Sequence, residues 1–97
     1  MHSSEQQAID RRLARIEGQV RGVRRLVSEN AYCCDVLQQV SAITSALNQV
    51  AASIASQHIK HCVIGHGTEE AHLATKEMSH EEMLEELDEV LKRLSRA

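Results

Sequence analysis

The feature that most restricts the fold of this chain is a long segment without a helix breaker. Residues 33–64 contain neither glycine nor proline, and the whole chain has no proline. A continuous helix of ~32 residues would be ~48 Å long, a length typical of bundles of several chains. Its apolar residues alternate in spacings of four and three, the heptad pattern of a seam for a partner helix: Val36, Val40, Ile43, Leu47, Val50 and Ile54.

The composition excludes other fold classes and locations. Aromatic residues make up 1% of the chain and glycine occurs 4 times, so the turns and aromatic strands of a β-sandwich are missing. No apolar run is long enough to span a membrane, and the polar N-terminus predicts no secretory signal. Three cysteines, an odd number, favour a reducing compartment. We expect one all-α domain over residues 1–97, in the cytoplasm.

Two breaks divide the chain into three predicted helices. The first should span residues 4–29, from a capping box at Ser4 to Asn30, which tolerates the left-handed conformation of a helix end. The second should span residues 33–64. The third begins either at Thr68 or at the capping box of Ser79. A short chain with so few large aromatics is expected to complete its core by forming oligomers.

One face of the first helix is basic. Arg11, Arg15, Arg21 and Arg25 lie opposite its apolar face at 100° per residue. Gly18 and Gly22 lie on the arginine side, although glycine inside a helix costs ~1 kcal/mol relative to alanine. Something is therefore expected to approach the backbone there. The arginines favour DNA phosphates; the alternative is a solvated face with a neighbouring helix packed at the glycines.

Cys33, His58 and Cys62 are the candidate functional residues of the second helix. His58 and Cys62 are one helical turn apart, and Cys33 precedes His58 by a spacing that returns it to nearly the same side, whereas Cys34 points away. Within one helix ~37 Å separates Cys33 from His58. If two copies run antiparallel, Cys33 of one chain lies near His58 and Cys62 of the other, twice per dimer.

Two thiolates and an imidazole suit Cu(I), a soft ion that accepts three ligands. Zn(II) would need a fourth ligand, for which His61, His2 or water could serve. Geometry leaves the choice between His58 and His61 open, and the cysteines could instead be small buried apolar residues. No nucleophile with a base, phosphate loop or carboxylate pair is visible, so we do not expect an enzyme.

Three stretches resemble the copper-sensing CsoR/RcnR family of repressors. They are Arg12 to Gly22, Tyr32 to Leu37 followed by Gln39 to Ala42, and His58 to Val63. The resemblance is close over residues 9–64 and loose in the third helix. It implies an all-α dimer of dimers, with antiparallel protomers around a four-helix-bundle-type core. Such a protein represses transcription when metal-free and leaves its double-stranded operator DNA when it binds its inducer.

The resemblance also assigns residues. Cys33, His58 and Cys62 match the ligands of the copper branch, and Tyr32 and Glu86 match residues that support them. The nickel and cobalt branch has histidine where Cys62 stands and an N-terminal histidine, for which His2 is a candidate. The persulfide branch lacks the histidine, and the formaldehyde branch lacks the second cysteine.

The resemblance and the basic face together predict the DNA contacts. Some members of the family carry a basic residue near Asn48 and Gln49, which this chain lacks, so the first helix should supply more of the interface. Sensing of Ni(II) or Co(II), thiol-based sensing of reactive sulfur or electrophiles, and copper buffering without DNA remain alternatives. The expected DNA-contacting set is Arg11, Arg15, Gly18, Gln19, Arg21 and Arg25.

Overall fold

The computed structural model describes Met1 and residues 3–96, and within that part of the chain it has helices and no strand. The long helices are α1 (Ser3–Ser28), α2 (Cys33–His58) and α3 (His80–Arg96). A π-helical turn, Ile59–Ile64, continues α2, and a 3-10 turn, Leu73–Thr75, precedes α3. The all-α prediction is confirmed. Over the same described residues, no helix is both long and apolar enough to cross a membrane.

The chain divides into two compact units at the end of α2. One unit contains α1 and the part of α2 up to Ala55, and the other runs from Ser56 through the π-helical turn to α3, together with Met1. The boundary falls within the segment that the sequence predicts as one continuous α-helix. The first unit carries the basic helix, and the second carries His58 and Cys62.

α1 ends where the sequence predicts, at Asn30. This residue has φ 55°, in the left-handed region, and two hydrogen bonds close the helix end. The backbone N–H of Ala31 donates to the Leu26 carbonyl at 2.9 Å, and that of Asn30 donates to the Val27 carbonyl at 3.1 Å. This is a Schellman motif. At the other end α1 begins at Ser3, so the predicted cap Ser4 lies inside the helix.

α1 and α2 pack through only part of their apolar faces. Ile9 and Ile16 of α1 form a buried cluster with Val50 of α2, and Ile43 and Ala46 pack against it. On both helices, part of the apolar face is covered within the chain and part of it stays exposed. The exposed members are Leu13, Val20 and Val27 on α1 and Val40, Leu47 and Ile54 on α2.

The predicted α-helix from Cys33 to Ile64 is wrong in its last turn. α-Helical hydrogen bonding stops at His58, and Ile59–Ile64 form a π-helical turn, which has i to i+5 hydrogen bonds. Apolar spacing does not reveal this change, because both helix types keep residues four apart near one another. Gly65 ends the turn, and a Cβ there would lie 2.6 Å from the His61 carbonyl oxygen, so only glycine fits.

α3 begins at the second of its two predicted starts. The Glu82 carboxylate accepts from the backbone N–H of Ser79 at 3.0 Å, and the Ser79 hydroxyl accepts from the backbone N–H of Glu82 at 3.1 Å, which completes a capping box. These bonds lower the pKa of Glu82 from its ordinary value. Thr68 starts no helix, because its hydroxyl donates to the Gly65 carbonyl at 2.6 Å and holds a turn.

Replacing Ser79 with alanine should lower the free energy of unfolding by about 1 kcal/mol, the usual cost of losing a capping side chain. The lowered pKa of Glu82 adds a pH dependence: its carboxylate stabilises the fold above the unfolded-state pKa, and this is lost as pH falls through the folded-state pKa. Urea unfolding across that range measures both. Glu82→Gln is the control, because glutamine completes the capping box without ionising. If wild type still has a higher free energy of unfolding than this variant in acid, the pH dependence does not come from the Glu82 carboxylate.

Candidate functional site

The π-helical turn holds one of the candidate metal ligands in a buried position. Cys62 is 6% exposed, and the preceding residue, His61, is 2% exposed. His58, the last residue of α2, is half-buried one turn earlier. α3 packs against this turn, and Met83 of α3 is completely buried. The turn that carries Cys62 is therefore the packed part of the second unit.

The structure distinguishes His61 from His58. His61 Nε2 lies 2.9 Å from Gln57 Oε1, and His61 Nδ1 lies 3.3 Å from Glu70 Oε2. Both ring nitrogens of His61 therefore face oxygen atoms of the same unit. A metal ion could reach a ring nitrogen of His61 only by displacing one of these oxygen atoms.

Residues at the opposite end of α2 are open to solvent. Cys33 is the first residue of the helix, and it and Cys34 are both exposed free thiols. Tyr32, which is 69% exposed, starts the helix through its carbonyl, which accepts from the backbone N–H groups of Asp35 and Val36. Glu86 is exposed on α3.

The described part of the chain does not gather the predicted ligands into one metal site. Among the described residues, no three histidine, cysteine, aspartate or glutamate side chains are gathered so that they could hold a metal ion. Cys33 is the first residue of α2 and His58 is the last, so a whole helix lies between them. His2, the other candidate ligand, lies outside the described residues.

α2 carries an exposed apolar stripe. Val40, Leu47 and Ile54 recur every seven residues and are 40–45% exposed, and Leu37 extends the stripe toward Cys33. The stripe begins within two turns of Cys33 and ends one turn before His58. Heptad spacing of this kind is the pattern by which helices of two chains pack together. An antiparallel partner on the stripe would bring Cys33 to the other chain's His58 and Cys62.

The basic face of α1 is exposed, as the sequence predicts. Gly22 has no atom of the described chain within 4 Å of an added Cβ, and the nearest atom at Gly18 is the Arg21 guanidinium at 3.7 Å. Within the described chain, no neighbouring helix therefore packs within 4 Å of either position. Exposed side chains on this face belong to Arg11, Arg15, Arg21 and Arg25.

Two residues of α1 depart from this pattern. Arg12 is directed toward α2, where its Nη1 donates to the Ser53 hydroxyl at 3.4 Å. Gln19, a predicted DNA-contacting residue, is half-buried, and its Oε1 is buried without a hydrogen-bond partner in the described structure. Arg12 therefore provides a matched arginine outside the candidate DNA surface.

Sequence reasoning missed the two residues that bond to His61. Gln57 was detectable, because it precedes His61 by four residues and shares its side of the helix. Glu70 was not, because it lies beyond the glycines of a turn whose path the sequence does not indicate.

The model of a family described as metal-sensitive transcriptional repressors matches residues 5–95. The copper-sensing repressor CsoR of Bacillus subtilis is 37% identical over 98% of this chain and 86% of its own length. RicR of Mycobacterium tuberculosis, also a copper-sensing repressor, is 55% identical over 55% of this chain; that match spans about half of RicR, 55% of its length. The crystal structure of CsoR with Cu(I) from Geobacillus thermodenitrificans is similar, with a TM-score of 0.80, 42% identity, and coverage of 98% of this chain and 91% of that one.

Proposed function

Because the chain belongs to the family of metal-sensitive transcriptional repressors, we propose that it is a Cu(I)-responsive repressor. The metal-free protein binds operator DNA, and Cu(I) binding releases it. The observation that carries the proposal is the placement of Cys33 and His58 at opposite ends of α2 with the exposed apolar stripe between them. Two thiolates and an imidazole form the soft ligand set that suits Cu(I), and the relatives compared above are copper sensors by name.

The proposed metal site is shared between two antiparallel protomers. Cys33 of one protomer and His58 with Cys62 of its partner are the ligands, so each dimer has two equivalent sites. Tyr32 and Glu86 support the ligands. Cys62 offers sulfur where a nickel or cobalt sensor would be expected to offer nitrogen, which favours Cu(I) over Ni(II) and Co(II). Three ligands also leave Zn(II) one short of its usual four.

The proposed DNA surface is the arginine side of α1, repeated in each protomer of a dimer of dimers. Guanidinium groups bind phosphates bidentately, which fixes the protein on the duplex without reading base identity. The operator would then be selected partly through its shape and deformability. The proposed contacts are Arg11, Arg15, Gly18, Gln19, Arg21 and Arg25. A DNA-bound function places the protein in the cytoplasm, and we propose no catalytic role for it.

Release of DNA requires the protein to have two states that differ in affinity for both ligands. Shifting the population almost completely between such states takes ~5.5 kcal/mol of differential binding. The π-helical turn is suited to start such a change, because it carries Cys62 and α3 packs against it. Ligation of Cys62 would thus act directly on the packing of α3.

The proposal is tested by selecting duplexes from a random library with the metal-free protein and then titrating the complex with Cu(I) without oxygen. About one Cu(I) per protomer should release the DNA, whereas Ni(II) and Zn(II) should not. If Ni(II) releases the DNA and Cu(I) does not, the inducer is nickel and not copper. A protein that binds Cu(I) but selects no duplex would be a copper buffer.

A thiol-based sensor is the second candidate, because Cys33 and Cys34 are exposed free thiols. It predicts that a reactive sulfur species or electrophile releases the DNA and leaves a disulfide or adduct on Cys33. Mass spectrometry of the released protein detects such a product. If such a species releases the DNA in the absence of metal and leaves no covalent change on the protein, this candidate is excluded.

Replacing Gly22 with alanine should have opposite effects on stability and DNA binding. Stability should rise by about 0.5–1 kcal/mol, because alanine is the better helix former and its Cβ meets no atom of the described chain. DNA affinity should fall, because the methyl group stands where the backbone approaches the phosphates. Thermal unfolding and DNA titration measure the two effects. Unchanged DNA affinity with a weaker oligomer, seen by sedimentation, would instead assign the glycines to helix packing.

A further inference from the structure

We propose that His61 is a positioning residue of the metal site and not one of its ligands. Its ring links Gln57 on α2 to Glu70 in the following connection, and this link, the His61 bridge, holds the π-helical turn so that His58 and Cys62 are presented together. The inference deepens the proposed function and rests on it for the identity of the metal.

The first support is the engagement of both ring nitrogens. Nδ1 lies 3.3 Å from a Glu70 carboxylate oxygen and Nε2 lies 2.9 Å from the Gln57 amide oxygen, so a polar atom of the same unit stands in front of each nitrogen, where a metal ion would have to bind. The ring is also 2% exposed, so these two contacts are packed inside the unit. His58 differs, because it is half-buried at the end of the helix.

The second support is a local turn that returns the chain to His61. The Thr68 hydroxyl donates to the Gly65 carbonyl at 2.6 Å and accepts from the backbone N–H of Glu70 at 3.2 Å. Gly65 in turn lies so close to the His61 carbonyl that a Cβ would overlap it at 2.6 Å. Gly65 and Thr68 thus place the Glu70 carboxylate against the His61 ring.

The third support is the position of Cys62 directly after His61. Fixing the ring of His61 at both nitrogens also fixes the backbone from which Cys62 projects, and Cys62 is 6% exposed in this arrangement. Glu70 is 51% exposed, so the bridge can be cut from the surface without leaving a cavity. This exposure makes the inference testable in a folded protein.

The first experiment uses the metal-free protein and measures the alkylation rate of each cysteine by mass spectrometry. Glu70→Ala should raise the rate at Cys62 by about threefold to tenfold, the effect of losing one hydrogen bond of this kind. The rate at Cys34 in the same molecules should stay unchanged. Glu70→Gln should restore most of the protection, because it keeps an accepting oxygen, and Glu69→Ala is the matched control. Equal Cys62 rates in Glu70→Ala and wild type would overturn the bridge.

The second experiment counts the ligands of bound Cu(I) by X-ray absorption. His61→Ala and Glu70→Ala should bind Cu(I) about 10- to 100-fold more weakly, the usual effect of losing a residue that orients a ligand. Both should keep the wild-type number of sulfur and nitrogen ligands, whereas His58→Ala should lose the nitrogen. A nitrogen lost in His61→Ala and kept in His58→Ala would make His61 the ligand. If wild type fails to bind Cu(I), the proposed function fails, while the alkylation rates still decide the bridge.

Discussion

Alanine at Cys33 or at Cys62 is expected to lower the affinity for Cu(I) by more than about 100-fold, because losing a ligand should exceed the 10- to 100-fold effect of losing a residue that only orients one. Mixing the two variants should then restore part of the tight binding. In a mixed antiparallel dimer, one site receives both intact cysteines and the other receives neither. Random exchange of subunits makes half of the dimers mixed, so tight binding should return to about one quarter of an equivalent per chain.

Titration against a competing Cu(I) chelator, without oxygen, measures each of these quantities. Cys34→Ala is the control, since this exposed thiol is adjacent to Cys33 but lies on another side of the helix. It should bind as wild type does. If the mixture of Cys33→Ala and Cys62→Ala binds no better than its components, the two cysteines do not complement each other across chains. A large loss in Cys34→Ala would instead identify the other cysteine as the ligand.

Arg15→Ala and Arg21→Ala should each weaken DNA binding and reduce its dependence on salt. Each phosphate contact contributes about 0.9 to the slope of log affinity against log salt concentration. The proposed dimer of dimers carries every substitution four times, so one variant should reduce the slope by about 0.9 for each copy that touches DNA, and by about 3.6 if all four copies do. Titration of one selected duplex at several salt concentrations gives the slope.

Arg12→Ala is the matched control, with the same charge change on the same helix. Its guanidinium bonds to Ser53 within the chain, so its loss should act on stability more than on the salt slope. If Arg12→Ala reduces the slope as much as Arg15→Ala does, the effect reflects total charge and not a defined surface. If Arg15→Ala and Arg21→Ala leave the slope unchanged, the arginine side of α1 is not the DNA surface.

The sequence predicts the helical architecture well because its signals are local. The left-handed end of α1 at Asn30 and the capping box of Ser79 both depend on residues within one turn of the helix end. The apolar spacing of α2 likewise identifies which of its residues are expected to be buried. It does not indicate which of them α1 covers, since Val50 and Leu47 carry the same signal but only Val50 is buried.

The π-helical turn and the His61 bridge were beyond sequence reasoning. Helical geometry alone leaves the choice between His58 and His61 as the partner of Cys62 open. The distinction arises from Glu70, which reaches His61 only through the turn at Gly65 and Thr68. For the proposed metal site, the sequence provides the ligand types and the need for two chains; the choice of His58 over His61 depends on contacts in the fold.

The exposed apolar stripe on α2 has a consequence for the copper concentration at which the proposed sensor would respond in a cell. When ligands come from two chains, metal affinity includes the free energy of association, so the apparent threshold for copper falls as the number of protein copies rises. Dilution would separate the chains and remove the metal site and the repeated DNA surface together. A repressor built in this way is calibrated by its own abundance as well as by the chemistry of its ligands.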